Sequence, residues 1–301
     1  MSVLTDSTGA RRVLNTPSRS VWWREVGWRH IVGLVAVVYS VFPLVFAVNI
    51  ALTKGNALTA SASLFQNVTG WNFSELFTNA AYQFPRWALN TIVVCGASAI
   101  GTVLMGGAAA YAFSRFRFRG RRGTLSTLLV IQMFPQMLAF VAIFLLLTAL
   151  KPVFPILGMD SLVAIICVYL GGALGVNTFL MYGFFNTVPR EIDEAAKIDG
   201  ASHAQIFWTI ILRLVAPVLA VVALLSFISS FSEYIIAKLV LTTDTNWTLA
   251  VGLYSLVSDP QNPHWGLFAA GALVSAIPVL VLFLFLQRYI VSGLTSGAVK
   301  G

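Results

Sequence analysis

Six stretches of this chain run for about twenty residues or more with almost no charge, and that spacing leaves few folds open to it. They cover residues 31–52, 87–113, 125–147, 162–185, 214–236 and 267–286. Each is long enough to cross a hydrocarbon core of about 30 Å at a helical rise of about 1.5 Å per residue. The first exceeds the apolar region of a signal peptide, about 7–15 residues, so it reads as an uncleaved anchor. Ala60-Ser-Ala62 beyond it is a weak cleavage mimic. The chain is 58% hydrophobic and only 10% charged, whereas soluble domains carry about 25% charge. A large soluble domain is therefore excluded. The expected fold is an all-α polytopic membrane protein with six transmembrane helices.

The net charge of +8 invites a nucleic-acid reading, but its distribution argues for a membrane orientation instead. Residues 1–30, 114–124, 186–213 and 287–301 hold fifteen of the nineteen Lys and Arg; the alternate connections hold Lys54, Arg86, Lys151 and Lys238. Cytoplasmic loops carry the excess of basic residues. Both termini are therefore expected in the cytoplasm, with 1–30 as an N-terminal segment and 291–301 as a tail. Cys95 and Cys167 both lie in apolar runs, without metal-ligand spacing, and read as packing residues. No metal site and no catalytic cluster is expected.

One cytoplasmic connection, residues 186–213, is unlike the rest. It gathers Glu191, Asp193, Glu194 and Asp199 with Arg190 and Lys197. Pro189 suits a helix entrance, and Asp193 and Lys197 stand at the i,i+4 spacing of a favourable ion pair. Ala195 and Ala196 keep a surface thin enough for another backbone to approach. Gly200 ends the helix, since it accepts positive φ. Ser202 and Gln205 fit a capping box that restarts a second helix from His203 towards Leu212. The expected result is a charged helical hairpin turned to a partner. The alternative is an interfacial linker with Ile198, Ile206, Phe207 and Trp208 dipping into headgroups. The outer connection at residues 240–265 is also long, rich in turn formers, and either functional or a passive cap.

The pattern Glu194-Ala-Ala-x3-Gly200-x9-Ile210-x-Leu212, just before the penultimate span, resembles the EAA signature of bacterial ABC importer permeases. The segments Leu249 to Val279 and Phe285 to Gly301 are similar to the MalG-type subunits of maltose/maltodextrin importers. The motif proline expected after the leucine is Arg213 here, with the next proline at Pro217, which leaves the exit angle of the second helix open. The resemblance implies a type I importer permease fold, multi-pass in the bacterial inner membrane. It also implies two ATPase subunits, a homologous second permease and an extracytoplasmic sugar-binding protein. Glu191, Glu194, Ala195, Ala196, Asp199, Gly200, Ile210 and Leu212 would couple to the ATPase. Asp244, Asn246, Trp247, Asp259, Gln261 and Asn262 would lie in the loop facing the binding protein. Gly293, Leu294, Thr295, Gly297 and Lys300 would form a tail contact with the ATPase. In the maltose system the sugar site belongs mainly to the other permease.

None of the five lysines follows a glycine, so a Walker A Gly-Lys-Ser/Thr is impossible. ATP and Mg²⁺ are thus expected on a partner ATPase, with no cofactor and no catalysis on this chain. The implied function is import of maltodextrin-type oligosaccharides, with another sugar such as trehalose as the alternative. An ATP-independent secondary transporter would need coupling acids within its spans, and Glu233 alone qualifies. Glu233 reads either as a pathway acid or as a partnered packing acid. Asn90, Gln132 and Asn177 read as interhelical hydrogen-bond residues, and Pro135 and Pro278 as kinks.

Overall fold

The computed structural model describes residues 3–5, 11–13, 23–54, 64–65 and 68–298. Apart from a small antiparallel hairpin, β1 (Val3–Thr5) with β2 (Arg11–Val13), and the Thr53–Val68 bridge, the described chain is helical. A short π-helical turn, Trp23–Gly27, leads into the long helix α1 (Trp28–Leu52). Next come α2 (Trp71–Thr78) and α3 (Phe84–Arg115). The helix α3 is the axis of the molecule. Its 32 residues span about 48 Å at 1.5 Å per residue, and it packs against the helices that follow 161 and 215.

Among the described residues, three helices are long and apolar enough to cross a membrane: residues 25–52, 84–115 and 265–289. The remaining apolar stretches are interrupted. Residues expected as a single span at 125–147 form α4 (Arg121–Gln132) and α5 (Gln136–Leu150). Pro135 caps α5 with ψ 113°; a proline removes a backbone donor and crowds the preceding turn, which favours a break here, although Pro43 and Pro278 are accommodated inside α1 and α13. The stretch 162–185 divides into α6 (Leu162–Gly171) and α7 (Val176–Phe185), bent by 58°. Gln132 bridges this second break: its amide donates to the Gly172 carbonyl (2.9 Å) and accepts from the Val176 N–H (2.9 Å). A Cβ at Gly175 would collide with that amide. Two of the backbone groups freed by the break, one carbonyl and one N–H, are thereby satisfied, as lipid surroundings demand.

After α7 come α8 (Arg190–Ile198) and α9 (His203–Leu214), whose middle, Ile206–Ile211, is π-helical. Then follow α10 (Ala216–Ser232), α11 (Ile235–Val240), α12 (Leu249–Ser255) and the long α13 (Trp265–Ala298). Buried side chains gather at both ends of α3. At one end Ile50, Leu76, Phe84, Trp87, Leu253 and Leu267 pack together. At the other, Tyr111, Met181, Phe185, Ile206, Ile211 and Val222 do so. The helix α1 lies along α13, and its outward face leaves Leu34, Val38, Phe42 and others exposed. Such a surface is stable against lipid tails and unstable in water.

Candidate functional site

The hairpin α8–α9 is built by local chemistry that can be followed atom by atom. Pro189 sets the entrance at φ −56°, the angle its ring imposes. The exit is a complete Schellman turn. Ala201 N–H reaches back to the Ala196 carbonyl (2.9 Å) and Gly200 N–H to that of Lys197 (3.0 Å). Gly200 stands at φ +84°, a conformation in which side chains are strained. Ser202 then opens α9 with both arms of the capping box: Gln205 N–H donates to Ser202 Oγ (3.3 Å), and Ser202 N–H to Gln205 Oε1 (2.7 Å).

Tertiary contacts weld this hairpin to the basic end of the bundle. Ile206 is fully buried and Phe207 is 8% exposed, packed with Tyr111, Met181 and Phe185. Those two residues therefore cannot dip into headgroups, which removes half of the interfacial-linker alternative. Ile198 (87% exposed) and Trp208 (56%) do point outward. Asp193 corrects a second expectation. It does not pair with Lys197, which is exposed; it is buried, and Oδ2 lies 3.0 Å from Nε of Arg115, the last residue of α3. No donor is aligned for a hydrogen bond on either Asp193 oxygen, so the contact is chiefly one of charge. Asp193 is buried with Ala196 against the end of α3, where Arg115 meets it, while Lys197 stays exposed. Arg115 also donates to the Val188 carbonyl (3.1 Å), and Arg190 to that of Ser114 (2.8 Å). Three contacts thus tie the end of α3 to the start of α8.

What remains outside is distinctive. Glu191, Glu194, Ala195 and Ile198 share the exposed face of α8, and Asp199 and Gly200 are exposed at the turn. Ala196 is buried, while Ile210 and Leu212 are half-buried against the core cluster. The eight expected coupling residues therefore divide into an acidic, outward group and an inward group that supports it. The exit angle left open by Arg213 is also defined. The chain bends by 81° at Val215, and Pro217 sits in the first turn of α10. That proline replaces the one absent at 213 as the local helix starter.

In the sequence Arg115 is one of the fifteen basic residues that set the membrane orientation. Its place as the first charged residue after the apolar run 87–113 is the available signal. Arg121 likewise has a specific partner, donating to the Tyr182 hydroxyl (2.7 Å).

At the far end of α3, the loop after α11 is mostly pinned down. Trp87 Nε1 donates to the Asp244 carbonyl (2.8 Å), and Asn90 Nδ2 to those of Thr245 (2.9 Å) and Trp247 (3.0 Å). Asn246 donates to the Asp160 carbonyl (3.0 Å). Trp247 is half-buried, 6.0 Å from the Trp87 ring and capped by Lys238 at 4.5 Å. Asp259, Gln261 and Asn262 form the exposed tip. Asp160 holds the neighbouring strand-like turn by accepting from the Thr242 and Thr243 N–H groups (2.9 Å each). Burial raises its carboxyl pKa, but the bonds from Thr243, Thr242 and Asn246 outweigh that and hold it below the ordinary value. Glu233 is partnered: it accepts from the Tyr169 hydroxyl (2.8 Å) and from the N–H groups of Ile236 (2.7 Å) and Ala237 (2.9 Å). Gly293, Leu294, Thr295 and Gly297 lie in the last turns of α13, and Lys300 lies outside the described residues. Among the described residues no cluster of three or more His, Cys, Asp and Glu is placed to hold a metal ion.

Comparison with known proteins places this geometry. Residues 102–296 match the family model described as the binding-protein-dependent transport system inner membrane component. The maltodextrin transport system permease protein MdxG of Bacillus subtilis (strain 168) is 41% identical over 261 residues, covering 87% of this chain and 91% of the relative. The galactooligosaccharides transport system permease protein GanQ of the same organism is 39% identical, with 87% and 90% covered. The maltose/maltodextrin transport system permease protein MalG of Escherichia coli (strain K12) is 38% identical, with 90% and 95% covered. In fold, the chain superposes on a bacterial ABC transporter that imports the acidic polysaccharide alginate, with a TM-score of 0.74, 24% identity, and 91% and 98% coverage. A helical bundle with an EAA hairpin at its basic end, and these relatives along nearly its whole length, have one reading: the chain belongs to the binding-protein-dependent inner-membrane permeases of ABC importers, beside the MalG-type carbohydrate permeases, and is a multi-pass membrane subunit rather than an enzyme.

Proposed function

We propose that this permease carries maltose/maltodextrin-type oligosaccharides and that α8–α9 couples closure of a partner ATPase to alternating access across the membrane. The observation that carries the coupling role is the division of α8 into two faces. One bears Asp193 and Ala196 and is locked to α3; the other offers Glu191, Glu194, Ala195 and Ile198 to a partner. Because the inner face is tied to α3 by a buried ion pair and to α10 through an 81° bend, a push on the outer face rotates helices on both sides of it. Rigid-body switching of this kind is how packed bundles convert a local force into a change of access.

The same reading has six crossings, both termini and the hairpin in the cytoplasm, and the exposed tip at Asp259–Asn262 towards an extracytoplasmic binding protein. Two ATPase subunits, holding ATP and Mg²⁺, and a second permease complete the assembly. The end of α13 is a further ATPase contact. The maltodextrin assignment is supported by relatives named for that substrate at 41% and 38% identity. A galactooligosaccharide substrate is the second reading, supported by a relative at 39%.

Two substitutions test the coupling role in the complete complex. Gly200→Pro removes an N–H that bonds Lys197 and forbids φ +84°; Glu194→Lys reverses a charge on the outer face without touching the core. Each is expected to lower labelled maltotriose uptake at least tenfold while membrane insertion stays normal. Wild-type uptake in Gly200→Pro, with normal ATPase association, sinks the assignment. Competition of labelled maltose uptake by maltotriose and by galactotriose decides between the substrates.

A further inference from the structure

Three helix interruptions face one space. The α4–α5 break contributes Gln132 and Phe134, the α6–α7 break contributes Gly171 to Ala173, and the α10–α11 break contributes Glu233 to the wall of a cavity of about 610 Å³. Irregular backbone within a membrane protein persists where it is enclosed by protein or lines a watered cavity, and interrupted helices mark substrate paths in other transporters. The volume falls inside the range of about 300–1,000 Å³ typical of small-molecule sites.

The chemistry of the wall is specific. Gln132, Tyr169, Asn177, Ser226, Ser229 and Glu233 line it, with no lysine or arginine among the lining residues. Tyr169 and Glu233 hold each other through a 2.8 Å hydrogen bond, and the carboxylate is further fixed by two backbone N–H groups of α11. Ser226 is oriented by a 3.1 Å bond to Thr102 on α3. A fixed aromatic ring suits the apolar face of a pyranose, while amides, hydroxyls and a carboxylate suit its hydroxyl groups. The only charge in the wall is negative, so an anionic sugar is repelled in surroundings that screen charge poorly.

We propose that this cavity is an oligosaccharide subsite belonging to this chain itself, taking a neutral, hydroxyl-rich sugar unit and rejecting uronate-type acidic sugars through Glu233. The proposal rests on the oligosaccharide reading above, and it adds a sugar contact where the family resemblance places the site mainly on the other permease. The test uses the whole complex in nanodiscs, illuminated during turnover with diazirine-bearing maltotriose, galactotriose or an alginate trisaccharide, and then mapped by peptide mass spectrometry.

A neutral probe is expected to label the segments at 169–177 and 226–233, with labelling reduced at least fivefold by excess unlabelled neutral sugar and unaffected by the acidic one. Glu233→Gln removes the charge while keeping a carbonyl acceptor for one of the two α11 N–H groups, and is expected to raise acidic-to-neutral labelling about tenfold. Ser229→Trp, which fills the cavity from an exposed position, is expected to abolish both labelling and uptake. Asn177→Ala is expected to raise the KM of uptake at least threefold. Labelling by neutral probes confined to the other permease overturns the proposal, as does wild-type uptake in both Ser229→Trp and Asn177→Ala. Labelling by galactotriose alone upholds the cavity and overturns the maltodextrin assignment instead.

Discussion

The two ends of α3 hold their neighbouring segments by different physics. At the basic end, the hairpin is welded by buried Ile206, Phe207 and Ile211 and by the Arg115–Asp193 ion pair. At the opposite end, residues 242–249 are held mainly through their backbone, by Trp87, Asn90, Thr91 and Asp160. The first arrangement stiffens a whole element and leaves its outer face free. The second fixes the path of a loop and leaves Thr242 to Asp244 and the tip at 258–262 exposed. A segment that must transmit force requires packing that resists rotation. A segment that presents a shape requires pinned carbonyls.

Breaking the weld should have the largest effect. Asp193→Ala leaves Arg115 buried without its carboxylate, and removing one partner of a buried pair costs about 3–5 kcal/mol. Thermal unfolding in detergent should show that loss, and Arg115→Met with Asp193→Leu should recover most of it, because the pair is then replaced by apolar contact. A cost below about 1 kcal/mol for the single variant, the worth of an exposed pair, would mean that apolar packing alone anchors the hairpin.

Asn90→Ala should act more mildly and at the other end. It strips donors from the Thr245 and Trp247 carbonyls, a cost of about 1–3 kcal/mol for unpaired buried groups. Amide exchange should quicken in 244–249 and stay unchanged in 190–205. Faster exchange in both would show that the ends are mechanically one, and the contrast drawn here would fail.

The smallest effect concerns acid. Asp160 has a folded pKa below its ordinary 3.8, so the unfolded state takes up the proton first as pH falls. Its contribution to stability is complete above about 3.8 and is lost as pH drops through the lower folded value. Protection of the Thr242 and Thr243 amides should follow that course, and Asp160→Asn should flatten it. An unchanged acid profile in Asp160→Asn would remove the carboxylate from the clamp.

The hairpin was legible from sequence because its determinants are local. Pro189, Gly200, Ser202 and Gln205 act within a few residues of one another, and each does in the structure what its chemistry suggests. The interruptions were harder to see. The break between α6 and α7 lies in an apolar run, and the side chain that satisfies it, Gln132, is 40 residues upstream of Gly172. Pro135 announced a kink, and the structure makes it a full break. Asp193 was misassigned for the same reason: the spacing to Lys197 is visible in sequence, whereas the approach of Arg115 depends on how α3 ends.

By itself, then, the sequence determined residence in the membrane, the presence of a charged hairpin before the penultimate apolar stretch, and the family. Hydropathy and short-range capping suffice for the first two, since each depends on residues adjacent in the chain, and the resemblance of the EAA pattern carries the third. Tertiary structure alone decided which acids of α8 turn inward and which outward, and it brought three distant helix breaks around one cavity. Those outcomes depend on desolvation: Asp193 is buried because Arg115 meets it there, and irregular backbone survives where polar side chains from other helices complete its hydrogen bonds.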